Sequence, residues 1–228
     1  MFEQIIKSGS VETTVLQHGL VFDCSKGMYP SRVSGYVGNS TMRIGSDVTT
    51  LYGYVYESGL IIKVGGQVWG PLQNGYYFSV VGECELSGNG KAVFFERVGF
   101  RGQQCIGGPT EERGRVSYID GCSDSILIYP PRMGDPCLNL LWFPKNIRQS
   151  MHIHPTVRLG LVIKGEGRCI TPEGELPLKE GNIFYLAEMG QHCFYTDDSQ
   201  MAIVAYHPDS DWGPTDTNHP MLNRTFIR

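Results

Sequence analysis

Short apolar runs broken by glycine, proline and asparagine dominate this chain. Runs rich in β-branched and aromatic residues occupy positions 50–56, 75–81, 92–96, 125–129, 159–163, 183–186 and 201–206. Glu57-Ser58-Gly59, Ser87-Gly88-Asn89-Gly90 and Pro172-Glu173-Gly174 supply turn chemistry between them. Few windows repeat at a helical period. The best of them, residues 11–19, predicts one short helix. The pattern as a whole predicts an all-β chain of many short strands, closed as a barrel or jelly roll.

The run at 75–84 and the run at 159–167 each end in a Gly-Glu turn. That likeness predicts an internal repeat of two related β domains, at 1–110 and 111–228. The polar, glycine-rich stretch 101–115 is the expected linker. With 41% apolar and 18% charged residues, 228 residues are enough for a sizeable core. A formal charge of −4 leaves no basic footprint for nucleic acid. No apolar run reaches the length of a membrane-spanning helix. The first residues carry no apolar signal core, and seven cysteines form an odd set without a CxxC pair. The expectation is free thiols in a reducing cytoplasm.

Chemistry concentrates in the last third, where five of the six histidines lie. His152 and His154 stand at i and i+2, a spacing that puts both rings on one side of a strand, about 6–7 Å apart along it. Neutral imidazole is the commonest metal ligand. A third ring from another strand closes three corners of a metal site, and His192 is the candidate. No phosphate loop, dinucleotide fingerprint, nucleophile elbow or HExxH is present.

These residues resemble the two motifs of the cupin superfamily. The first motif runs from His152-Ile153-His154 to Gly165-Glu166-Gly167, with Arg158 standing where the family places a glutamate. The second begins at Gly181 and carries His192 at the family's offset, with Ala187, Met189 and Thr196 replacing its proline, glycine and asparagine. The match spans residues 152–206, about a quarter of the chain. Residues 111–132 and the tail from His207 also look like uncharacterised bacterial cupins. The resemblance implies a double-stranded β-helix (a jelly-roll barrel), present twice with the first barrel degenerate, and a homodimer.

The resemblance also implies a metal on His152, His154 and His192 in the second barrel, with open positions beside it. Fe, Zn, Cu, Ni and Mn all suit such nitrogen ligands to varying degrees. Three-His cupins include dioxygenases in which iron activates O₂. A metal-assisted isomerase or lyase and a non-enzymatic metabolite-binding protein are the alternatives. Arg158 cannot ligate a metal. It either clamps an anionic small-molecule substrate beside the ion or turns outward to an acid such as Glu188. Gln149 is a fourth ligand, a support for the ligands, or a turn residue. Tyr185 and Tyr206 either donate a phenolic hydrogen bond inside the barrel or pack in the core. His207 and His219 are expected to bond locally in the tail. Tyr118, Asp120, Asp124 and Arg132 either line a mouth or cap loops.

Overall fold

The computed structural model describes residues 4–218 and 220–227; His219 lies outside them. Among the described residues the regular elements are β-strands, apart from two 3-10 turns and a four-residue helix at Pro220–Asn223. The expected strands form. The turns at 57–59, 87–90 and 172–174 separate them as their glycines require.

One stretch departs from the sequence expectation. Residues 11–19 are not helical: Val11–Val15 is a strand that pairs antiparallel with Asn182–Leu186. Val11 is fully buried in the core of the second half, and Thr13 donates its hydroxyl to the Ile183 carbonyl. Burial and ladder bonds outweigh a weak helical period that contains two adjacent threonines.

The main sheets of the two halves share one pairing scheme. In the first half the order is Cys105–Gly107, Tyr77–Val81, Thr49–Glu57, Lys91–Val98, Ser31–Val37, Gly19–Cys24. In the second it is Val11–Val15, Asn182–Leu186, Arg158–Thr171, Met201–His207, Cys137–Phe143, Ser123–Ile128. The two match strand for strand. Tyr77–Val81 corresponds to Asn182–Leu186, so the likeness of 75–84 to 159–167 in the sequence is out of phase. A close contact repeats as well. Phe78 pairs with Gly53 and Phe184 with Gly160. A Cβ on either glycine would lie 2.2 or 2.3 Å from the facing ring. The stretch 101–115 is not all linker, because Cys105–Gly107 pairs with Tyr77–Val81.

Three apolar layers result. Tyr36, Phe78 and Phe94 fill the interior of the first half. Tyr52 and Phe95 pack against Leu138, Leu159, Val204 and Tyr206 between the facing sheets of the two halves. Phe143, Val162, Phe184 and Phe194 line one end of the second interior. Strand alternation then decides which side chains enter that interior. On Met201–His207 they are Ile203, Ala205 and His207; on Cys137–Phe143 they are Cys137, Asn139 and Leu141. No helix among the described residues is long and apolar enough to cross a membrane.

Candidate metal centre and adjoining cavity

His152 lies in an extended segment just before the long Arg158–Thr171 strand. A lone bridge joins it to His192, with each backbone N–H donating to the other's carbonyl at 3.0 Å. Met151 and Ile153 are exposed on one side, so His152 and His154 turn to the other. The His152 and His154 rings sit 5.0 Å apart, centroid to centroid, and His192 lies 4.6 and 5.2 Å from them. One ligand nitrogen from each falls within 4.8 Å of the others.

Local bonds aim these rings. His152 Nδ1 meets the Ser150 carbonyl at 2.8 Å, and His192 Nδ1 meets the Gly190 carbonyl at 2.9 Å. A carbonyl accepts, so each Nδ1 carries the proton and each Nε2 keeps its lone pair. His192 Nε2 is buried and has no hydrogen-bond partner. Burial, then the Arg158 charge and the neighbouring rings, holds His154 down to about 3. Burial likewise holds His192 to about 4, against the Gly190 bond that favours its charged form. Both are neutral at pH 7. Three imidazoles, two of them held neutral and one with an orphaned buried nitrogen, fit a divalent transition ion.

Supporting contacts surround the cluster. Gln149 is buried, and its Oε1 accepts the Phe194 N–H at 3.1 Å while its backbone N–H donates to the Phe194 carbonyl at 3.2 Å. Its amide therefore braces the strand that carries His192. Asp120 accepts the Ser150 N–H at 2.6 Å and so ties down the loop that leads into His152.

Arg158 enters the second interior. Its Nη1 donates to the Thr156 and Val157 carbonyls at 3.1 and 3.0 Å and to the Thr156 hydroxyl. It does not reach Glu188, which lines a separate surface cleft. Tyr185 lies in that same cleft, packed on Phe22 with ring centroids 6.0 Å apart. Phe184 and Leu186 take the inward positions of their strand, so Tyr185 must face outward. Tyr206 is likewise outside the second interior, stacked on Phe95 at 5.4 Å.

His207 does not bond locally in the tail as expected. It ends an inner strand, and its ring lies 6.5 Å from that of His154. Enclosure by protein, then Arg158 and His154, drives its pKa well below the usual range. With Arg158, Cys137 and Asn139 it lines a cavity of about 280 Å³, to which Asp209, Asp211 and Trp212 also contribute. Asn139 Nδ2 donates to both carboxylate oxygens of Asp124, at 3.1 Å each. Tyr118 packs against the core of the second half, while Arg132 stays near the surface, its backbone N–H on Asp135.

No protein-family profile and no curated protein matches the chain. Solved structures do. The protein Ylba from E. coli superposes with a TM-score of 0.62 at 14% identity, over 94% of this chain and 89% of that one. A Cupin 2 conserved barrel domain protein from Leptotrichia buccalis gives 0.59 at 14%, over 88% and 90%. Salicylate 1,2-dioxygenase from Pseudoaminobacter salicylatoxidans gives 0.56 at 8%, over 78% and 67%. At these identities the likeness is one of fold. The chain shares the jelly-roll fold of these proteins, and it carries a three-His group able to hold a metal.

Proposed function

We propose that this protein is a metal-dependent small-molecule enzyme whose centre is formed by His152, His154 and His192. The observation that carries the reading is the orphaned, buried Nε2 of His192 within 4.8 Å of two further imidazole donors. A buried lone pair without a partner is costly, and a metal ion would relieve that cost. A bound divalent ion would supply an electrophilic, substrate-accessible centre with open positions, and O₂-dependent oxidation is the chemistry we assign to it.

The chain's own residues have definite tasks in this reading. Ser150 and Gly190 carbonyls hold two rings in the ligating tautomer. Gln149 and Asp120 fix the segments that carry them. Phe184 and Phe194 keep water from one side of His192, whose ring lies 5.7 Å from Phe194. Arg158 adds positive charge on the other side, which favours an anionic substrate. The first half takes no ligand: Phe78 and Phe94 occupy its interior, and no histidine stands at the matching positions. The repeated pairing scheme supports a division into two barrels near residue 110, with the N-terminal strands Ile6–Ser8 and Val11–Val15 joining the second.

The test is oxygen uptake by the purified, metal-loaded protein across a panel of small organic acids. Uptake with one class, lost in His152→Ala, is the expected result. Turnover that is equal under air and argon would replace oxidation by Lewis-acid chemistry.

A further inference from the structure

We infer that Arg158 and His207 form a carboxylate-binding subsite in the second interior, and that it takes the acid group of a small organic acid. The two residues are cross-strand neighbours. Leu159 pairs with Tyr206, so Arg158 and His207 stand one step further along the same two strands. Cys137 pairs with His207 on its other side. One row across the barrel wall therefore reads Arg158, His207, Cys137, with all three lining the cavity of about 280 Å³.

The hydrogen bonds of this pair leave it free for a ligand. Arg158 spends one nitrogen, Nη1, on its own backbone and Thr156. Its Nε has no partner, and among the described residues it joins no ion pair. Asp209, which lines the same cavity, is engaged by the Thr156 hydroxyl at 2.7 Å. Among the described residues Nη2 and the His207 ring nitrogens have no hydrogen-bond partner, and both side chains are only partly buried. A carboxylate is the planar acceptor that a guanidinium edge recognises. A neutral imidazole beside it donates one more N–H to the same group. Asp209 and Asp211, which line the same cavity, disfavour a second negative charge there, so a monocarboxylate is the better fit.

The first half lacks this subsite. The Gly53–Phe78 and Gly160–Phe184 pairs put both sheets in the same register, so Leu51 holds the place of Arg158. Leu51 is fully buried among apolar neighbours. The cation therefore belongs to the half that also carries the three-His cluster. The His207 ring lies 6.5 Å from that of His154, so an acid held here sits one ring away from that cluster. That last step rests on the metal-centre reading; the binding of a carboxylate does not.

The experiment is a ligand-observed NMR titration with propionate and with propionamide, its neutral isostere, on the purified protein. Three variants run beside the wild type: Arg158→Gln, His207→Phe and His152→Ala. Thermal melts establish that each is folded. We expect propionate to bind and propionamide to bind about tenfold more weakly or worse. Arg158→Gln should remove that preference, and His207→Phe should weaken propionate severalfold. His152→Ala should leave propionate binding within about twofold, because it removes a metal ligand and not the subsite. Equal binding of acid and amide by the wild type would overturn the proposal. So would a propionate affinity lost in His152→Ala but unchanged in Arg158→Gln, which would put the acid on the metal. Should Arg158→Gln fail to fold, the wild-type preference and His207→Phe decide. Absence of metal with propionate binding intact would sink the enzyme reading alone.

Discussion

Acidification of the metal-free protein should cost stability through His154 and His192. The unfolded chain protonates each histidine near 6.5, whereas folded His192 waits until about 4 and folded His154 until about 3. Between these limits the unfolded state binds more protons, so stability falls as pH falls. The contribution is intact above pH 6.5 and is lost progressively toward pH 4. At pH 5 an unfolded imidazole is almost wholly protonated and folded His192 almost wholly neutral, a difference of about 2 kcal/mol. His154 is half-buried, so solvent screens part of its share. The two together are worth roughly 3 kcal/mol, a large fraction of a typical folding free energy. Urea denaturation of chelator-treated protein at pH 7.5 and pH 5.0 measures it. A His154→Gln/His192→Gln double variant should lose roughly 3 kcal/mol less than wild type across that interval. His207, held well below its ordinary range chiefly by burial, is present in both proteins, so its share of the loss largely cancels. Equal losses in the two would refute the assignment of buried neutral rings.

Single substitutions elsewhere have equally definite outcomes. Gly160→Ala puts a Cβ 2.3 Å from the Phe184 ring and should destabilise the fold by about 1–3 kcal/mol, measured by urea denaturation. Gln149→Ala leaves the buried Phe194 N–H unpaired and should cost about 1–3 kcal/mol, with weaker metal retention after dialysis. Tyr185→Phe alters only the outer cleft, so metal content and turnover should match wild type; a loss of either would place Tyr185 in the site after all.

Much of the site is legible in the sequence because its chemistry is written in spacing. His152 and His154 at i and i+2 announce a pair of ligands by spacing, and the resemblance to the second cupin motif picks out His192 as the third. The inward turn of Arg158 is less legible. A long cation four residues after a ligand can face either side of a bent strand, and only the Leu159 and Leu161 contacts with the facing sheet settle it. His207 is hidden for a related reason. Residues 201–206 are apolar on both faces, since one packs in each layer, so no alternation reveals that position 207 points inward. Tyr185 misleads in the opposite way: an aromatic in an apolar strand has no evident parity until Phe184 claims the interior. The strand at 11–15 escapes local reading because its partner lies 170 residues away, as the Thr13 bond to Ile183 shows.

Whether His152, His154 and His192 hold a metal is settled by elemental analysis of the purified protein. Wild type should carry about one transition-metal ion per chain, and a folded His192→Ala variant none. A wild type that stays metal-free after incubation with Fe, Zn, Ni and Mn salts, or a His192→Ala variant that keeps its ion, would contradict the three-His centre.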